Sequence, residues 1–206
     1  MKPPAERVVD LYSRRAHDFD ADRTKSLFER PWLDAFLAHV PEAGTVLDLG
    51  CGSGEPIARY LIEQGRKVTG IDASPGLIEL CRRRFPGHEW RVADMSELDP
   101  GRRFDGVIAW HSLIHLPPDD QAGMFAVFVR SLRPGGVLMF TSGSERGEIL
   151  GDWRGEALYH GSLSLAGYRG ELEAAGFDIL RHVSGDPDCG GATVWLARRR
   201  GGKVRA

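Results

Sequence analysis

The stretch "VLDLGCGSG", Val46 to Gly54, decides the fold. Val46-Leu47-Asp48-Leu49 has the apolar density of a buried strand, and it runs directly into glycines at 50, 52 and 54. Glycine weakens strands and helices, so a cluster at their junction needs a reason. The reading here is that something approaches the backbone closely, at a place where helix-start amides favour a polar or anionic group.

Working outward, strand-like and helix-like segments alternate. Thr45–Leu49, Lys67–Ile71, Trp90–Ala93, Phe104–Trp110 and Val137–Thr141 read as five strands. The helices between them are Glu55–Gln64, the segment opened by Ser74-Pro75, and Pro118–Leu132. Ser74 suits a cap and Pro75 a first helical position. Arg133-Pro134-Gly135-Gly136 reads as a helix stop and turn. Residues 142–163, rich in Gly and Ser, read as a long connection. Ser164–Ala175 then reads as a helix closed by Gly176, with Phe177–Val183 and Thr193–Ala197 as a final hairpin. Nearly continuous apolar strands alternating with helices imply an α/β fold. The expectation is a Rossmann-like, doubly wound, mostly parallel seven-stranded sheet with an antiparallel C-terminal hairpin.

Three regions are expected: a helical lid or cap over 1–44, a ligand-binding domain over 45–200, and a basic tail over 201–206. The 206 residues suffice for one full core. Lys plus Arg number 27 and Asp plus Glu 29, a near-balance that argues against a dedicated nucleic-acid partner. No apolar run reaches membrane-spanning length, and the start lacks a signal-peptide pattern, so a soluble, cytoplasmic protein without a membrane partner is expected. Cys51, Cys81 and Cys189 are far apart and form no CxxC pair, so neither a metal site nor a disulfide is expected.

In an open parallel sheet, ligands bind past the carboxyl ends of the strands. Gly50–Gly54 lies past the first strand. Asp72 ends the second, about 20 positions further on, where an acid is placed for two ribose hydroxyls. A dinucleotide fingerprint reads GxGxxG, whereas Gly50-Cys51-Gly52-Ser53-Gly54 reads GxGxG and is followed by Glu55. A carboxylate there sits poorly beside a pyrophosphate, so a nucleoside ligand without phosphates fits better.

At this point the chain resembles the class I S-adenosylmethionine-dependent methyltransferases. Val46–Gly54 is similar to their first motif, and Val68–Ser74 to their ribose-binding segment. Val92-Ala93-Asp94-Met95 is similar to the adenine-binding segment, Phe104–Ile108 through His115-Leu116 to the fourth-strand motif, and Leu132–Leu138 to the turn into the fifth strand. The resemblance covers roughly residues 45–141 and continues at Gly176-Phe177. It implies S-adenosyl-L-methionine as cofactor. Gly50, Cys51 and Gly52 would lie along its methionine part, with Asp48 supporting that loop. Asp72, with Ala73 beside it, would hold the ribose, and Asp94 and Met95 the adenine. Trp110 and His111 would lie near the sulfonium. Tyr12 resembles the N-terminal tyrosine that closes over the cofactor in small-molecule members.

Methyl transfer needs a base only when the acceptor must first lose a proton, and His111, His115 and His160 are the candidates. His115-Leu116-Pro117 recurs in the family with varied acceptors, which points to pocket shaping. Ala109-Trp110-His111-Ser112 lacks the Asn/Asp-Pro-Pro-aromatic run of nucleobase amine methyltransferases. Substrate contacts are expected from 1–44 and from 142–163, where Trp153, Tyr159 and His160 suit a small acceptor. The resulting expectation is methyl transfer to an oxygen or nitrogen of a small molecule. The alternatives are a methyltransferase acting on protein or RNA, and a non-catalytic nucleoside-binding protein.

Overall fold

A computed structural model describes residues 3–201. Seven strands form one sheet in the order β3-β2-β1-β4-β5-β9-β8. Here β1 is Thr45–Leu49, β2 Lys67–Asp72, β3 Glu89–Val92, β4 Phe104–Ala109, β5 Leu132–Ser142, β8 Phe177–Asp186 and β9 Ala192–Arg199. The first five run parallel, β9 is antiparallel to β5, and β8 is antiparallel to β9. The order turns back between β1 and β4, which puts the switch point at the end of the Val46–Leu49 run.

The strands are apolar throughout because both faces are covered. Successive strand residues point to opposite faces. Val46, Ile108, Met139 and Val194 pack on one side with Trp32, Leu33 and Phe36 of α3 (Arg30–Leu37), Leu61 of α4 (Ile57–Glu63) and Ile78 of α5 (Pro75–Arg84). Leu47, Val107, Leu138 and Trp195 pack on the other with Met124, Phe125 and Phe128 of α6 (Pro118–Ser131) and Tyr168 and Leu172 of α7 (Leu165–Ala174). Ser74 caps α5 by accepting from Leu77 N, and Ser164 caps α7 by accepting from Gly167 N.

Three details depart from the sequence reading. First, residues 142–163 are not an irregular connection. They hold a two-stranded hairpin, β6 (Gly147–Trp153) and β7 (Glu156–Ser162). Arg154 and Gly155 turn it with φ of 55° and 79°, the positive values that a two-residue hairpin loop requires. Second, Arg133–Gly136 is an irregularity inside β5: Phe104 pairs with Leu132, the register shifts, and Gly106 pairs with Val137. Third, the last strand does not stop at Ala197 but runs to Arg199, and Arg200 after it is paired with Asp178 at 2.7 Å. Of the expected basic tail, residues 202–206 lie outside the described residues.

The first 44 residues form α1 (Glu6–Arg14), α2 (Ala16–Asp22) and α3. They divide in position. Trp32, Leu33 and Phe36 of α3 are fully buried core, whereas α1 and α2 stand over the carboxyl ends of the strands. No helix among the described residues is long and apolar enough to cross a membrane.

Candidate active site

The glycine loop is first of all a packing solution. Gly50 (φ 71°) and Cys51 both donate their backbone N–H to Ile71 O, at 2.8 and 3.0 Å. A Cβ on Gly50 would stand 2.2 Å from Ser112 Cβ, and the Ser112 hydroxyl donates to Leu49 O at 2.6 Å. A Cβ on Gly52 would meet the Phe19 ring at 3.1 Å, and one on Gly54 the Phe85 ring at 2.8 Å. The groups that crowd this backbone are thus the chain's own side chains, arriving from the segment after β4, from α2 and from the residue that follows α5. Sequence reasoning had assigned the close approach to a ligand alone.

Asp72 ends β2 and braces the loop. One carboxylate oxygen accepts from Gly52 N at 2.9 Å, the other from Ser74 N at 2.8 Å. Burial raises its pKa, while these two N–H groups oppose the rise. A carboxylate oxygen takes more than one hydrogen bond, so acceptor capacity remains. Asp48 is buried beside it. Burial, then the charge of Asp72, pushes the Asp48 carboxyl up to about 7 against the pull of Arg23. Asp94, past β3, accepts from Ser96 N and the Ser96 hydroxyl at 2.8 and 2.7 Å.

Over the loop lies an aromatic roof. The Tyr12 and Phe19 rings meet edge to face at 5.1 Å, and Trp153 at the hairpin tip stands 5.7 Å from Tyr12 and 6.4 Å from Phe19. Ion pairs join α1 and α2 to the hairpin. Glu156 accepts from Arg14 and Arg15 at 2.8 and 2.9 Å, and Arg154 reaches Asp18 at 3.2 Å and Asp22 at 2.8 Å.

The far end is built of imidazoles. Nδ1 of His115 lies 3.0 Å from Tyr159 O, a carbonyl that can only accept, so Nδ1 carries the proton. Nε2 is then the acceptor and receives the Tyr12 hydroxyl at 3.2 Å. Both nitrogens of His115 are thereby engaged, which joins α1, the 3₁₀ turn Leu113–His115 and β7. His160 stacks on His115 at 5.3 Å. His111 has φ 51° and donates its backbone N–H to Thr141 Oγ1 at 2.8 Å, so its imidazole opens to the cavity. Burial, the Arg23 guanidinium and the neighbouring imidazoles hold His111 down to about 4. Burial does the same to His115, opposed by the bond to Tyr159 O. Burial also pushes the Tyr12 hydroxyl up to about 12.

One cavity of about 690 Å³ connects all of this, within the range of small-molecule sites, about 300–1,000 Å³. Tyr12, Asp48, Gly50, Cys51, Gly52, Asp72, Ala73, Asp94, Met95, Trp110, His111, His115 and His160 all line it. Sequence reasoning missed Arg23, which also lines it and donates to Glu29, a fully buried carboxylate, at 2.6 Å. Nothing local marks Arg23. Its place follows from how α2 ends over the sheet.

A family model described as "Methyltransferase domain" matches residues 46–136. Trans-aconitate 2-methyltransferase of Azoarcus sp. (strain BH72) is 39% identical over 106 residues, 50% of this chain and 41% of that protein. Malonyl-[acyl-carrier protein] O-methyltransferase of Serratia marcescens is 31% identical over 140 residues, 66% of this chain and 52% of that protein. The chain spans about half the length of the curated relatives it matches. Among solved structures, 1,6-didemethyltoxoflavin-N1-methyltransferase of Burkholderia thailandensis, with bound 1,6-didemethyltoxoflavin and S-adenosylhomocysteine, superposes with a TM-score of 0.73 at 25% identity. That match covers 97% of this chain and 92% of the other.

Proposed function

We propose that the chain is a class I S-adenosylmethionine-dependent methyltransferase, a reading supported by the methyltransferase-domain match over residues 46–136, and that it transfers a methyl group from S-adenosylmethionine to an oxygen or nitrogen of a small-molecule acceptor. One observation carries this reading: the glycine loop, Asp72 and Asp94 at one end and the imidazoles at the other share a single roofed cavity.

The residues fit the cofactor. The acid-rich lining suits a sulfonium cation. Asp72, braced by two backbone N–H groups, retains acceptor capacity for two ribose hydroxyls. Asp94 would accept from the adenine amino group, and Met95 and Ala73 would form the wall around the nucleoside. Gly50, Cys51 and Gly52 would lie along the methionine part, with Asp48 behind them. Arg23, held in place by Glu29, offers the one guanidinium among the described lining residues for a carboxylate.

When bound, the cofactor supplies a methyl group already activated by the sulfonium, so the protein's task is alignment and exclusion of water. Tyr12, Phe19 and Trp153 close the roof. His115 has both nitrogens engaged, so it positions Tyr12 and the hairpin rather than moving a proton. Proton acceptance falls to a ring nitrogen of His111 or His160, whose low basicity suits an acidic O–H or an acceptor needing little help.

Calorimetry with S-adenosylhomocysteine and with NADH tests the cofactor. Binding of the first and indifference to the second is expected, and the reverse would sink the reading. Release of S-adenosylhomocysteine across a panel of small acceptors then tests the activity.

A further inference from the structure

The charge of the cavity narrows the acceptor class, an inference that rests on the methyltransferase reading. Glu6, Asp48, Glu55, Asp72, Asp94 and Asp120 all line it. Of these, Glu55 is paired with Arg59 and Asp48 is only partly ionised near neutral pH, which leaves Glu6, Asp72, Asp94 and Asp120. Arg23 is the only Arg or Lys among the described lining residues, and its guanidinium is shared between buried Glu29 and, on the reading above, the cofactor's carboxylate. The cavity is therefore electronegative.

At the imidazole end the one guanidinium whose charge is felt by His111 is again Arg23, already shared in this way. Asp120 begins α6 beside this end, close enough for its charge to be felt by the Tyr159 hydroxyl. Elsewhere in the wall, Glu6 faces the cavity from α1. Burial keeps His111, His115 and His160 uncharged at neutral pH. Ile114, Leu116 and Pro117 supply apolar wall. An anion placed here would lose hydration and meet carboxylates without a free cation. A hydroxyl or an amine would find imidazole nitrogens able to accept its hydrogen.

We propose that the acceptor is a neutral or cationic molecule presenting an O–H or N–H to His111 and His160, and that carboxylates are rejected. Trans-aconitate is a polycarboxylate, so the proposal separates this chain from the relatives named for it. The reaction forms a bond from the acceptor heteroatom to the methyl carbon and breaks the carbon–sulfur bond. The sulfur keeps the electron pair, and the acceptor's proton passes to an imidazole nitrogen or to water.

The test uses the chain saturated with S-adenosylhomocysteine, titrated by calorimetry at low salt with 2-naphthol, 2-naphthylamine and 2-naphthoate. At least one of the first two should bind about tenfold or more tighter than the naphthoate. Added salt should narrow the gap. The double variant Glu6→Gln, Asp120→Asn should narrow it further by strengthening naphthoate binding. Naphthoate binding equal to or tighter than both others overturns the proposal, as does no binding of any of the three. Failure of S-adenosylhomocysteine to bind, read in a separate titration beforehand, strikes the methyltransferase reading itself.

Discussion

Asp72 joins two roles, and two measurements on one variant read them separately. Its carboxylate faces the cavity and also ties Gly52 to Ser74. Asp72→Ala should weaken cofactor binding by about 1.5–3 kcal/mol, the range for hydrogen bonds to a charged group. Calorimetry reads this directly. The same variant should lose about 1–2 kcal/mol of folding stability, because two backbone N–H groups lose their partner. Unchanged affinity would remove Asp72 from the cofactor site. Asp48 gives a second residue-scale prediction, in pH. Its carboxyl rises from 3.8 in the unfolded chain to about 7 in the fold. Between those values the folded state holds a proton that the unfolded chain releases, so stability is lost as pH rises through the window. Asp48→Asn cannot ionise. Its melting temperature relative to wild type should therefore rise between about pH 4 and about pH 7 and level off above, measured without cofactor. A constant difference would mean that Asp48 titrates normally.

At the scale of elements, the roof and the β6–β7 hairpin act on each other. Helices α1 and α2 present Arg14, Arg15, Asp18 and Asp22, and the hairpin answers with Glu156 and Arg154. Each pair is exposed and contributes little alone, but several share one seam with the Tyr12, Phe19 and Trp153 rings. We expect this seam to open for entry of cofactor and acceptor, as lids do. Glu156→Ala removes the partner of two arginines at once. Hydrogen exchange over residues 12–22 should accelerate in the variant and slow in wild type when S-adenosylhomocysteine binds. Added salt should mimic the variant. Equal exchange with and without ligand would make α1 and α2 a fixed wall. Helix α3 does not take part, because Trp32, Leu33 and Phe36 are sealed against the sheet.

For the whole molecule, stability rests on a sheet buried on both faces. Phe140 of β5 lies at the centre of one layer, stacked on Trp195 at 5.9 Å and on Phe128 at 6.1 Å, with Phe125 edge-on at 5.9 Å. It joins the parallel half of the sheet to the antiparallel pair. Phe140→Ala should cost about 3–5 kcal/mol, since rigid rings on several sides cannot collapse into the space. Denaturant unfolding measures it. A loss below about 1 kcal/mol would show that this layer repacks freely.

The α/β alternation, the order of the motifs and the residues along the strand ends were legible in the chain itself. These are local signals: runs of Val, Ile and Leu long enough to be buried on both faces, glycines where φ turns positive, Ser and Pro where helices start. Asp72 and Asp94 could be placed because each directly follows a strand, and strand ends in a parallel sheet share one edge. Tertiary structure decided the rest. The hairpin at 147–162 escaped notice because Arg154-Gly155 is not a common hairpin turn, and its first strand is largely exposed while its second alternates too weakly to mark a face. Arg23 entered the cavity, and Ser112, Phe19 and Phe85 turned out to be what the three glycines make room for. His115 has both ring nitrogens engaged by groups far off in the chain, the Tyr12 hydroxyl 103 residues away and the Tyr159 carbonyl 44 residues away. Periodicity and turn chemistry act within a few residues. The protonation state, partners and accessibility of a side chain depend on what folding brings to it from a distance.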